Sequence, residues 1–125
     1  MKDALTLSYI NLYGILGALP TLTELSAEAR AILGGTVRTL TIAVRNGPVA
    51  TLTFNSGRCV MRAADEGGDI RLSFSTPEKF NGMIDGTVTP VPTKGLIYVP
   101  FLIGKFTKLT DLLTKYLRPE PSDME

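Results

Sequence analysis

Asp69–Gly86, DIRLSFSTPEKFNGMIDG, decides the fold, because its hydrophobic period changes partway along. Ile70, Leu72 and Phe74 alternate with polar residues, which is the signature of a strand over Asp69–Phe74 with one buried face. Thr76 then supplies an N-cap oxygen, Pro77 a preset first helical residue, and Glu78 a negative charge in the first turn. Phe80, Met83 and Ile84 follow at helical spacing, and Gly86 closes the helix. A strand feeding a helix with so short a join, in a chain otherwise rich in period-two segments, predicts an α+β domain.

Upstream, Leu40, Ile42 and Val44 share one face of a strand over Arg38–Arg45, and Thr39, Thr41 and Ala43 share the other. Asn46–Gly47 is a hairpin signal leading into Val49–Phe54, where Ala50, Leu52 and Phe54 alternate. Asn55–Gly57 turns the chain into Cys59–Ala63, and Asp65–Gly68 turns it again into Asp69–Phe74. The pattern predicts an antiparallel meander with one packed and one polar face. Downstream, Thr87–Lys94 is a connection punctuated by Pro90 and Pro92, and Leu96–Val99 reads as a last edge strand broken by Pro100. A terminal helix over 101–117 places Leu102, Phe106, Leu109, Leu113 and Tyr116 on one face. A single domain is expected over 1–117, with helices in 1–36 and sheet and helices in 37–117. Residues 118–125 (RPEPSDME) read as a flexible tail.

The N-terminal segment, roughly 3–18, is helical by length and by its lack of internal proline, and Pro20 is expected to end it. Its apolar residues run nearly all the way round, so it must be buried on more than one side or meet something else apolar. Gly14 and Gly17 suit a close helix–helix approach. A short helix then starts at Ser26 and stops at Gly34–Gly35. Residues 4–19 are short for a bilayer span, and Asp3 together with the missing small-residue site after Leu19–Pro20 speaks against a signal peptide. A cytoplasmic location is expected.

Composition narrows the chemistry. The chain has 125 residues with no histidine and one cysteine, Cys59. Ser–His–Asp and Cys–His catalysis and an intramolecular disulfide are therefore excluded, and no zinc knuckle is available. The 13 Lys plus Arg against 12 Asp plus Glu give no electrostatic reason to expect nucleic acid as a partner. No phosphate loop, calcium loop or other cofactor motif is present, so no cofactor and no metal are expected.

The run from Asp69 to Phe80, continuing to Met83-Ile84-Asp85-Gly86 and Pro90, resembles the sterol carrier protein type 2 family. That family opens a strand of alternating apolar residues with an acid, follows it with a Ser/Thr-capped helix, and ends on Gly-x-x-x-Pro, here Gly86 and Pro90. The likeness covers about 37–117. The family's glycine–lysine strand is here Gly95-Leu96-Ile97-Tyr98-Val99-Pro100-Phe101, a departure that would reshape the mouth of its pocket. The resemblance implies a five-stranded, mostly antiparallel sheet covered on one face by helices. It also implies an apolar tunnel between these layers, which takes sterols, fatty acids or fatty acyl-coenzyme A without chemistry.

The candidate tunnel residues are Leu12 and Leu16 from the first helix and Phe74, Phe80, Met83 and Ile84 from the strand–helix unit. Leu96, Tyr98, Phe101, Leu102, Phe106 and Leu109 complete them from the C-terminal third. The bland account is that all of them fill a core packed to crystal-like density. A lipid needs little else: at about 0.8 kcal/mol per buried methylene, ~12 methylenes supply roughly 10 kcal/mol before ordering costs. Lys94, Lys105 and Lys108 are candidates to meet an acyl-coenzyme A phosphate. A competing enzyme reading would use Asp65, Glu66 and Asp69 beside Arg62 and Arg71, or Asp85, and the turn chemistry of 65–68 favours a solvated loop instead. A third reading is a structural or dimerising domain with a collapsed tunnel. Its apolar first helix would form a homodimer contact or touch a membrane during lipid exchange.

Overall fold

The computed structural model describes residues 3–117, so the 118–125 segment lies outside the described residues. Among them, four strands form one sheet: β1 (Val37–Val44), β2 (Val49–Asn55), β3 (Arg58–Arg62) and β4 (Ile70–Phe74). The spatial order is β3-β2-β1-β4. β1–β2 and β2–β3 are antiparallel, whereas β4 runs parallel to β1.

Register turns the alternation seen in the sequence into rows. Met61, Leu52, Leu40 and Ile70 lie side by side across the sheet, and Ala50, Ile42 and Leu72 form the next row. Four helical regions cover this face: the N-terminal helix Ala4–Leu25, the short helix Ala27–Leu33, the helix Pro77–Asp85, and a C-terminal helix over 99–117. Phe54 sits under the C-terminal helix, with the rings of Phe101 and Phe106 at 5.3 and 6.3 Å. Phe80 meets Phe74 edge-on at 5.4 Å. Full burial of such a side chain contributes about 1.5–3 kcal/mol.

The expected meander is corrected at its last connection. Residues 63–69 do not form a hairpin turn; they carry the chain across the open face of the sheet, over β2 and β1, to begin β4 on the far side. A run of backbone polar groups crossing a sheet needs partners, and a threonine ladder supplies them. The Thr51 hydroxyl donates to the Ala64 carbonyl (2.9 Å) and accepts from the Glu66 N–H (3.0 Å). The Thr41 hydroxyl accepts from the Gly68 N–H, and Thr39 Oγ1 accepts from the Asp69 N–H. Because a hydroxyl has one proton, and that of Thr51 goes to Ala64, the 2.9 Å contact between Thr41 and Thr51 has Thr41 as donor.

The fifth strand is corrected as well. Edge pairing stops at one bridge between Arg71 and Lys94, and Leu96–Tyr98 forms a 3₁₀ turn. Gly95 explains the switch. It adopts φ +82°, and a Cβ there would lie 2.3 Å from the Asp69 carbonyl oxygen. Only glycine fits against β4 at this point, and its left-handed conformation turns the chain off the sheet edge.

Pro20 does not end the first helix. The helix widens into a π-turn at Ile10–Ile15, tightens to 3₁₀ at Leu16–Ala18, and restarts with Pro20 in the first turn of Leu19–Leu25. There the missing N–H costs nothing. At 22 residues the helix is long and apolar enough to cross a membrane by length and composition, although Leu12, Leu16, Leu19 and Leu22 are buried in the core. Gly14 faces open space apart from its own neighbour Ile10, so no close helix approach within the described chain accounts for it. Tyr116 is exposed, unlike the other four residues of its predicted face.

Candidate functional site

A partly open cleft of about 260 Å³ lies between the N-terminal helix, the Pro77–Asp85 helix and the C-terminal helix. Ile15, Leu16, Met83 and Ile84 give it an apolar floor. One wall is the connection after the Pro77–Asp85 helix, through Gly86, Val88, Thr89 and Pro90. Gly82 makes that wall: its carbonyl accepts from the N–H groups of Thr87 (2.8 Å) and Val88 (3.1 Å), folding the connection back over the helix end. A Cβ on Gly82 would stand 2.5 Å from Val88 Cγ2, so this return needs a glycine.

The opposite wall is the C-terminal helix, with Phe106 and Leu113 deep in the cleft and Thr107, Thr110, Asp111 and Thr114 along it. Each of the three threonines donates its hydroxyl proton to the helix backbone: Thr107 to Leu102, Thr110 to Thr107, Thr114 to Thr110, all at 2.9 Å. This wall therefore offers methyl groups and acceptor oxygens. Both helices that flank the cleft are irregular beside it. The π-turn of the first ends at Ile15, and a second π-turn, Leu102–Phe106, ends at Phe106. Well under 1% of residues in globular proteins are π-helical, and such turns are frequent at functional sites.

Of the twelve candidate tunnel residues, Leu16, Met83, Ile84 and Phe106 are brought together at this cleft. Leu12, Phe80 and Leu109 are fully buried in the core, with Phe74, Phe101 and Leu102 nearly so. Leu96 is exposed, carried off the sheet edge by the turn at Gly95. Tyr98 is half-buried, with the Arg38 guanidinium 4.1 Å above its ring. Sequence reading missed the threonine wall. Its signal was the spacing Thr107, Thr110, Thr114, a second stripe beside the leucines.

The charged candidates have other work. Lys105 donates to the Leu33 carbonyl (3.1 Å) and to Thr36 Oγ1, placing its charge at the C-terminal end of the Ala27–Leu33 helix. Lys94 holds the edge bridge through its backbone, and neither it nor Lys108 lines the cleft. Asp65 pairs with Arg71 at 2.6 Å and accepts from the Gly67 N–H, and chiefly the Arg71 hydrogen bond holds its carboxyl below the ordinary range. Glu66 pairs with Arg62, and Asp69 accepts from the Thr39 N–H. These acids fasten the crossover. Asp85 is exposed at the end of its helix. Burial pushes the Cys59 thiol up to about 12. Among the described residues no three Cys, Asp or Glu side chains gather as a metal site.

No family model matches the chain. No curated protein matches it either. Solved structures do. The conserved hypothetical protein TT1886 of Thermus thermophilus, a candidate sterol carrier protein, superposes with a TM-score of 0.60 at 14% identity, covering 87% of this chain and 89% of that one. A crystal structure of sterol carrier protein 2 superposes with a TM-score of 0.57 at 14% identity, over 90% of this chain and 95% of its own. The chain has the sterol carrier protein fold, in a version whose described sheet has four strands and mixed direction.

Proposed function

We propose that this protein is a cytoplasmic carrier that holds one hydrophobic chain in the cleft and releases it unchanged. The observation that carries the reading is the cleft itself: about 260 Å³ left open beside an apolar floor of Ile15, Leu16, Met83 and Ile84. Interiors normally close such space, since each lost contact costs dispersion energy. The fold shared with sterol carrier protein 2 supports a lipid as occupant. The volume is just under the ~300–1,000 Å³ of sites that engulf a drug-sized ligand, so the cleft suits part of a fatty acyl or sterol-like molecule, the remainder projecting through the open side. Binding by burial alone, at about 0.8 kcal/mol per methylene, needs no cofactor and no turnover.

Native and denaturing mass spectra of the purified protein, with organic extraction of any adduct, test this. A single lipid-sized adduct lost on denaturation is expected. A clean apo mass together with no saturable uptake of the neutral dye Nile red refutes the carrier. Leu5, Tyr9 and Ile10 on the first helix are exposed, which favours a dimerising domain as the second reading. Sedimentation showing a dimer that survives dilution, in a protein without ligand, would select it.

A further inference from the structure

We infer that the cleft, if it is the carrier site proposed above, selects chains with a cationic or hydrogen-bond-donating head and disfavours carboxylate and phosphate heads. The inference rests on what the walls present. Among the described residues the lining holds one formal charge, Asp111, and no described Lys or Arg lies within salt-bridge distance of it. The hydroxyl protons of Thr107, Thr110 and Thr114 are committed to backbone carbonyls, so these side chains turn acceptors toward a ligand. The N–H groups of Gly86, Thr87 and Val88 are spent on the carbonyls of Met83 and Gly82. The Pro77–Asp85 helix ends at Gly86 in this wall, which brings the negative end of its dipole to the cleft with Asp85 beside it.

At about 100° per residue, Lys108 and Lys115 stand about 60° and 40° round the helix from Asp111, at i−3 and i+4, and well away from the face that carries Thr107, Thr110 and Thr114. Neither lines the cleft or lies within salt-bridge distance of Asp111. Lys105 is held at the Ala27–Leu33 helix. An anionic head would enter a place with a carboxylate, a helix C-terminus and acceptor oxygens, where among the described threonines of the lining only Thr89 has a hydroxyl proton not already committed. An amine or alcohol head finds acceptors already oriented.

The test is displacement of Nile red near neutral pH by dodecylamine, dodecanol and dodecanoate, which share one chain length, all below their aggregation thresholds. Dodecylamine is expected to displace the dye at about tenfold lower concentration than dodecanoate. Asp111→Asn should bring that ratio close to one, Asp111→Lys should reverse it, and Lys94→Gln, at the sheet edge outside the lining, should leave it in place. Circular dichroism checks that the variants fold, which exposed positions allow. Dodecanoate binding as tightly as dodecylamine overturns the inference, and so does Lys94→Gln changing the ratio as much as Asp111→Asn. In both cases the carrier reading stands on dodecanol. If neither the dye nor any of the three chains binds, the carrier reading falls and takes the inference with it.

Discussion

Thr51→Val is the substitution on which local preference and tertiary structure disagree in sign. Valine has the shape of threonine, a strong strand propensity and a lower cost of burial, so at a fully buried strand position it should be neutral or stabilising. The structure says the reverse. Thr51 Oγ1 donates to the Ala64 carbonyl, accepts from the Glu66 N–H, and accepts from the Thr41 hydroxyl beneath the strap. Valine removes all three at once. Each net hydrogen bond contributes about 1 kcal/mol, and a buried donor left unsatisfied costs about 1–3 kcal/mol. Ala64 and Glu66 are exposed and water can recover part of their loss, but Thr41 is sealed. The expected destabilisation is about 2–3 kcal/mol, read from urea unfolding as a lower midpoint at unchanged slope. Thr53→Val, on the same face of β2 without a side-chain hydrogen bond among those described, should stay within about 0.5 kcal/mol. Thr41→Val and Thr51→Val should be non-additive, because they share a bond. A Thr51→Val protein as stable as the parent would refute the ladder as the fastening of the crossover.

Two further outcomes follow from single residues. Cys59, with its thiol raised to about 12, should resist alkylation at pH 8 in the native protein and react once urea unfolds it. Since the folded state holds this proton more tightly, its stabilising effect is complete below the unfolded value near ~8.5. It is lost above that at about 1.4 kcal/mol per pH unit until the folded value is reached, a slope that Cys59→Ala should abolish in alkaline unfolding curves. Rapid labelling of the native protein would sink this. Gly82→Ala should cost about 1–3 kcal/mol by pushing Val88 outward, and should weaken Nile red binding several-fold because Val88 is part of the wall. Unchanged unfolding and binding would show that the return over Gly82 does not shape the cleft.

What the sequence made legible was whatever is fixed by neighbours in the chain. Thr76 bonding the Lys79 N–H, Pro77 at the helix start and left-handed Gly86 at its end are short-range devices, and each stands where its residue type demands. The strand faces are equally local, since alternation alone puts Leu40, Ile42 and Val44 on one side. The losses are all places where a local signal has two tertiary solutions. Asp65-Glu66-Gly67-Gly68 has the chemistry of a hairpin turn, yet a hairpin would have left Thr41 and Thr51 on an open sheet face. They are buried because the same residues cross above them. Leu96–Val99 has strand composition, but pairing was already ended by Gly95 against Asp69.

The cleft follows the same logic. Leu16, Met83 and Ile84 of its floor could be read from periodicity, because a core and an apolar cleft use one set of residue types. Its threonine wall could not, because threonines on a helix ordinarily meet water. Their role here comes from a connection that Gly82 draws back across from them. The apolar floor is common to a core and to many lipid sites, so in the proposed carrier any discrimination among ligands would come from the wall and the charge on it. On the carrier reading proposed above, the residues least conspicuous in the sequence, Thr107, Thr110, Asp111 and Thr114, would therefore be the ones that set which head group enters.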